Sequence, residues 1–136
     1  MRRCFLMLTL VSAVACGSDS TAPNPQNASI AGTWHLQTVN GQTLPFVVQS
    51  GSTKISITAD QVVITDGGSW SQTSTFSIVE NGGAPQQQVS NDGGTWARAG
   101  ANLVFTSPTS GITNATFDGS KIVVSEANVG SAIYSR

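Results

Sequence analysis

The chain has 136 residues, a length that fits one domain and leaves no room for a two-domain enzyme. Charged residues make up only 10% of it and the formal net charge is -1, so no basic surface is available to hold a nucleic-acid backbone. Glycine occurs 14 times among many uncharged polar residues, a composition that disfavours helices and favours strands and turns.

The N-terminal segment has the features of a secretory signal. A basic start, Met1-Arg2-Arg3, precedes an apolar run over 5–14 that is about half as long as the roughly 20 residues of a membrane-spanning helix. The run ends in Ala13-Val14-Ala15-Cys16, which resembles the lipobox of bacterial lipoproteins, where the cysteine is diacylated and the chain is cleaved before it. The alternative is ordinary signal peptidase cleavage after Ala15, which would leave a free thiol at the new N-terminus.

The cysteine count favours lipid attachment. Of the two cysteines, Cys4 lies within the signal, so Cys16 is alone after cleavage and no intramolecular disulfide can form. An unpaired thiol is a liability in an oxidising compartment, whereas a thioether that carries acyl chains is an anchor. We therefore expect a signal peptide over 1–15 and a lipidated cysteine with a disordered tether over 16–29. The expected location is the cell envelope, at the outer membrane or the outer face of the cytoplasmic membrane.

Short runs from Ile30 onward place apolar residues at every second position, the period of a strand with one buried face. We predict strands near 33–39, 53–58, 61–65, 69–79, 86–98, 101–106, 112–117, 120–126 and 130–135. Residues 42–52, which contain Pro45, are expected to form a lid turn or a short 3₁₀ segment. Five dipeptides that favour tight turns separate the runs, namely Asn40-Gly41, Asp66-Gly67, Asn81-Gly82, Asp92-Gly93 and Asp118-Gly119.

Strands joined in sequence leave two exposed edges unless the sheet closes. We therefore predict an all-β domain over 30–136, an up-and-down antiparallel meander that closes into a small barrel of eight or nine strands. Three tryptophans follow a Gly-x pattern, at Trp34, Trp70 and Trp96. Each is expected to pack at the end of the barrel, and the alternative for Trp70 or Trp96 is stacking against a ligand.

The stretch from Ile30 to Pro45, with Gly32-Thr33-Trp34 near its start, resembles the opening of lipocalin-like (calycin) domains in small bacterial lipoproteins. The stretch from Gly94 to Thr106 and the terminal Tyr134-Ser135-Arg136 are also similar to that group. The resemblance implies that Trp34, with Gly32, closes one end of the barrel and that Arg136 from the last strand packs across the tryptophan.

No catalytic constellation is found in the sequence. The single histidine, His35, is predicted to face solvent, and one histidine without an available thiol does not make a zinc site. The carboxylates of Asp66, Asp92 and Asp118 each precede a glycine, where we expect them to serve turns and not glycoside chemistry. We therefore expect that the protein is not an enzyme and that it holds no metal and no cofactor.

By analogy with the fold, the expected function is the binding of a small hydrophobic molecule inside the barrel or at its mouth. The candidate lining residues are the aromatic side chains Phe46, Trp70, Phe76, Trp96 and Phe105. Two alternatives stay open, a protein-binding barrel such as a calycin-type protease inhibitor and a passive structural surface lipoprotein. The expected partners are the membrane, through the N-terminal lipid, and the small ligand, with the barrel itself a monomer.

Overall fold

A computed structural model describes residues 28–126 and 130–136. The predicted signal peptide and the lipid attachment at Cys16 lie outside this part of the chain. The described residues form ten strands: β1 (Gly32–Val39), β2 (Gln42–Thr43), β3 (Phe46–Gln49), β4 (Thr53–Ile64), β5 (Ser69–Glu80), β6 (Gln86–Ala99), β7 (Asn102–Ser107), β8 (Gly111–Phe117), β9 (Lys121–Glu126) and β10 (Gly130–Ser135). In the described part of the chain, no helix has the length and apolarity to cross a membrane.

The ten strands form one antiparallel sheet in the order β2-β1-β10-β9-β8-β7-β6-β5-β4-β3. A further pairing between β1 and β4 closes the sheet on itself, and β2 and β3 are additional to the resulting ring of eight strands. The prediction of an all-β meander closing into a small barrel is therefore confirmed. Closure pairs all eight strands on both sides over at least part of their length, which removes the exposed edges of an open meander.

Two predictions about the first third of the barrel are wrong. The segments 53–58 and 61–65 belong to one continuous strand, β4, which carries an irregularity between Ile57 and Ala59. An extra residue in one strand shifts the alternation of side chains, so the apolar pattern is broken although the strand continues. The segment 42–52 contains the short strands β2 and β3, where a lid turn or 3₁₀ segment was expected.

The turn predictions hold with one exception. Asn40-Gly41 and Asn81-Gly82 adopt the positive φ angles expected of tight turns, 51° and 76° in the first and 51° and 73° in the second. Asp92-Gly93, in contrast, lies inside β6, so its assignment to a turn is wrong. A Cβ atom on Gly93 would lie 2.9 Å from the carbonyl oxygen of Trp70. The glycine therefore allows a close approach between strands, a second role that glycine has in sheets.

The buried core lies inside the ring, concentrated toward one end of the barrel that we call the closed end. Trp34 is 0% exposed and Phe117 is 1% exposed, and their rings meet edge to face with centroids 5.6 Å apart. The fully buried side chains of Ile64 and Leu103 belong to the same core cluster. His35 is exposed, as its position between two buried residues predicted.

Candidate functional site

The closed end of the barrel brings together the three residues that the family resemblance singled out. The guanidinium carbon of Arg136 lies 4.4 Å from the centroid of the Trp34 ring, within the range of a cation–π contact. Gly32 lies against the Arg136 side chain, and its φ of 139° is a backbone conformation that favours glycine. The indole Nε1 of Trp34 donates to the carbonyl oxygen of Ile30 at 2.8 Å. These contacts seal one end.

Beyond the closed end, the interior contains a cavity of about 370 Å³, which we call the barrel cavity. Its walls come from seven strands of the ring and from the turn between β7 and β8. The described lining residues are Val62, Trp70, Gln72, Asp92, Phe105, Ser107, Ser110, Gly111, Thr113, Ile122, Val124 and Tyr134. Ser110 and Gly111 are exposed, so the cavity reaches the surface at the β7–β8 turn, which we call the mouth.

Two of the five predicted lining residues lie in the cavity wall. Trp70 and Phe105 meet edge to face in this wall, with ring centroids 5.5 Å apart and an interplanar angle of 73°. The Nε1 of Trp70 is buried and has no hydrogen-bond partner. A buried donor without a partner is rare in proteins and costs free energy. The N–H of Trp70 is therefore an unsatisfied hydrogen-bond donor in the cavity wall.

The other three predicted residues are not among the described lining residues. Trp96 donates from Nε1 to the carbonyl oxygen of Thr65 at 2.9 Å and packs against the core. Phe46 packs against the same core from β3, and Phe76 lies half-buried on β5 opposite Ile57 of β4. Aromatic character alone therefore does not distinguish the cavity wall from the remaining inner surface.

A buried carboxyl group, Asp60 of β4, is hydrogen-bonded to the polar part of the wall. It is 7% exposed, and its Oδ2 accepts from Gln72 Nε2 at 2.8 Å and from the hydroxyl of Ser74. Its Oδ1 has no hydrogen-bond partner. Desolvation by burial raises the pKa of Asp60, and the hydrogen bonds from Ser74, Gln72 and Tyr134 oppose that rise only in part.

A second carboxyl group, Asp92 of β6, lies at the mouth. Oδ1 accepts from Ser107 Oγ at 2.6 Å and from the amide of Gly93 at 2.7 Å, and Oδ2 accepts from Ser110 Oγ at 2.6 Å. The hydrogen bonds from Ser107 and Ser110 lower the pKa of Asp92, so the group is ionised at neutral pH. The mouth of the barrel thus carries a fixed negative charge.

The two carboxyl groups are connected through Gln72. Its side chain donates to Asp60, and its Cα is paired directly with that of Asp92 on the neighbouring strand. This polar wall was not predicted from the sequence, because Asp92-Gly93 has the pattern of a turn and Asp60 belongs to no motif. The signal was present in β4, where Asp60, Val62 and Ile64 occupy alternate positions on the inward face.

Charge is distributed unevenly around the barrel cavity. Its described lining residues include the carboxylate of Asp92 but no lysine, arginine or histidine. Two of the arginines lie at the closed end, where Arg98 approaches the Phe117 ring at 5.0 Å and Arg136 covers Trp34. A charged ligand entering the cavity therefore meets the negative charge of Asp92 and no cationic side chain among the described lining residues, with the Trp70 N–H as an unpartnered donor.

The protein can be classified only by its fold and its cavity, because no protein-family model matches the sequence and the search of curated proteins finds no significant match. The class defined by the structure is an eight-stranded antiparallel barrel with an internal cavity that opens at one end. This architecture is compatible with a lipocalin-like barrel.

Proposed function

We propose that the protein is a lipocalin-like binding barrel that takes a small molecule into the barrel cavity and does not convert it chemically. The observation that carries this proposal is a cavity of about 370 Å³ inside a closed ring of strands. Ligand pockets in proteins have volumes of roughly 300–1,000 Å³, whereas a barrel filled by its own side chains would leave only small voids. At about 30 Å³ per water, the space corresponds to about a dozen water molecules.

The lining supports a ligand that has both an apolar and a polar part. Val62, Ile122 and Val124 join the Trp70–Phe105 pair in an apolar surface. The side chains of Gln72 and Asp92 interrupt that surface with hydrogen-bonding groups. A few convergent polar groups in a mainly apolar pocket are the usual means of orienting a small ligand.

We place the barrel at the cell envelope, held by acyl chains on Cys16. The support is the basic start, the short apolar run and the small residues that lead into a cysteine without a partner. Intact-mass measurement on protein from its native cells tests this part of the proposal. A mass that begins at Cys16 and includes acyl groups is expected, and Cys16→Ser should remove both the adduct and membrane association. An unmodified thiol at Cys16 would contradict the proposed anchor.

Ligand titration tests the binding function. Purified protein titrated with single-chain amphiphiles should show a saturable change in tryptophan fluorescence, because Trp70 lies in the wall. Trp70→Phe keeps an aromatic wall and should remove most of that change, while calorimetry still detects binding. The matched control, Trp96→Phe, alters an indole outside the lining and should leave the fluorescence change in place.

The same measurements separate the alternatives. Absence of both heat and fluorescence change across amphiphiles of either charge would refute small-molecule binding. A single stoichiometric protein partner recovered from envelope extract, with no small molecule in native mass spectra, would favour the protein-binding barrel.

A further inference from the structure

The polar wall of the barrel cavity indicates the chemical class of its ligand. We infer that the cavity selects amphiphiles whose polar group is an amine, bound as the ammonium ion, over those that carry a carboxylate. This inference rests on the proposed function and specifies the ligand of the same cavity. It depends on the carboxylate at the mouth, the orientation of the Gln72 amide and the aromatic pair.

The first support is the state of Asp92. Three hydrogen bonds, from Ser107, Gly93 and Ser110, hold this carboxylate in one position at the mouth. A carboxylate has about four acceptor positions, so these three donors leave capacity for one more. No cation lies among the described lining residues to neutralise it. An ammonium group on a ligand would supply both the missing positive charge and a donor.

The second support is the orientation of Gln72. Its Nε2 donates to Asp60 at 2.8 Å, so one of the two amide hydrogens is already used. The second N–H of the amide is directed to the Tyr134 hydroxyl at 3.5 Å, so the carbonyl oxygen, an acceptor, is the group left for a ligand. Asp60 is 7% exposed and its Oδ1 has no partner, so an unpaired acceptor lies beside Gln72.

The third support is the aromatic pair. Trp70 and Phe105 lie in the same cavity as Asp92, and the faces of aromatic rings attract cations. They also provide an apolar surface for the hydrocarbon part of an amphiphile. A carboxylate ligand would gain the same apolar contacts, but its charge would lie near that of Asp92 without a cation to pair it.

The experiment compares three ligands that share one chain and differ only in the polar group. Octylamine, octan-1-ol and octanoate are titrated into purified protein by calorimetry at pH 7, where the amine is protonated and the acid ionised. Octylamine is expected to bind at least tenfold more tightly than octanoate, with octan-1-ol between them. Raising the salt concentration should weaken octylamine binding and leave octan-1-ol binding unchanged.

A pair of variants assigns the selectivity to the mouth. Asp92→Asn removes the charge but keeps an oxygen for Ser107 and Gly93, and should reduce the preference for octylamine over octan-1-ol at least fivefold. Asp66→Asn makes the same change of net charge in the β4–β5 turn, at an exposed residue outside the lining, and should leave the preference unchanged. Circular dichroism establishes that both variants fold.

The outcomes separate this inference from the proposed function. If octanoate binds as tightly as octylamine to the unaltered protein, the inference is wrong while the binding function stands. The same holds if Asp92→Asn folds and keeps the full preference for the amine. If none of the three ligands binds, the inference and its ligand class are rejected. The titration with amphiphiles of either charge, described above, then tests the binding function by itself.

Discussion

Asp60 shows how burial of a single ionisable group affects this barrel. The carboxyl group is buried among the side chains of Ser74 and Gln72, and desolvation raises its pKa above 3.8. The native state therefore holds the proton more tightly than the unfolded chain does. Between pH 3.8 and the raised native value, the free energy of unfolding contributed by this group must fall as pH rises.

We predict that Asp60→Asn removes this pH dependence. Urea unfolding midpoints of the two proteins, measured from pH 3.5 to pH 8, should diverge as pH rises, with the original protein losing stability relative to the variant. The other carboxyl groups titrate in both proteins, so their contributions cancel in the difference. Parallel curves over the whole range would contradict the assignment.

Asp118 makes the opposite contribution to the pH dependence of stability, because its pKa is lowered. It accepts hydrogen bonds from the amides of Ser120 and Lys121, at 3.0 Å each, and from the Ser120 hydroxyl. The Ser120 amide is the largest cause, and together these bonds lower the pKa of Asp118 to about 2. Stability from this group is present above pH 3.8 and is lost as pH falls toward 2.

We predict that Asp118→Ala destabilises the β8–β9 turn by about 1 kcal/mol at pH 7, a small value because the carboxylate is exposed. The difference between variant and original protein should shrink as pH falls from about 4 to about 2. Thermal unfolding at pH 7, pH 4 and pH 2 measures it. A difference that is independent of pH would show that the carboxylate charge is not what stabilises the turn.

At the scale of the element, β6 shows why glycine lies inside a strand. Gly94 pairs with Trp70 of β5, and a Cβ built on it would overlap the carbonyl oxygen of Thr106. The backbone of β6 therefore passes β7 more closely than a side chain allows. This close approach occurs two residues from Asp92, where β6 forms part of the mouth.

We predict that Gly94→Ala lowers the free energy of unfolding by about 1–3 kcal/mol, because the backbone of β7 must move. Gly67→Ala is the control, since its Cβ would meet only the Thr65 hydroxyl at an ordinary 3.7 Å. Urea denaturation compares the two. Equal effects at both positions would mean that β6 accommodates a side chain at Gly94 without strain.

The strands could be predicted from the sequence because the alternation of apolar and polar residues is a local pattern. The cavity wall could not be predicted, because it depends on contacts between distant strands. The period-two pattern predicted most strands correctly, and the Asn-Gly dipeptides predicted two of the turns. Asp92-Gly93 looks like a turn signal because its conformational preference is local, whereas its position in β6 is decided by pairing with β5. Whether an inward aromatic residue lines a cavity or fills the core depends on what faces it across the barrel. Trp70 and Trp96 differ in that respect although both follow a Gly-x pattern.

At the scale of the whole molecule, Arg136 connects the end of the barrel to its beginning. Its Nη2 donates to the carbonyl oxygens of Ser29 and Ala31, at 2.8 and 2.9 Å, while the guanidinium covers Trp34. The contact joins residues more than 100 positions apart in the sequence. The pairing of β1 with β10 is thus reinforced by a side chain just after the last strand.

We predict that Arg136→Ala lowers the free energy of unfolding by about 1–3 kcal/mol, through two charge-assisted hydrogen bonds and the cation–π contact. Hydrogen exchange should increase most at the amides of residues 28–34. Lys121→Ala is the control, since its ion pair with Asp118 at 3.7 Å is half exposed and contributes about 1 kcal/mol or less. Exchange that increases uniformly over the barrel would contradict a local role for Arg136.

The closed end is also where the described chain enters and leaves the barrel. The chain enters β1 beside Trp34 and leaves β10 beside the same residue, whereas Ser110 and Gly111 lie at the opposite end of β7 and β8. Under the proposed anchor at Cys16, the tether reaches the barrel at its closed end, and the mouth lies at the end remote from the attachment.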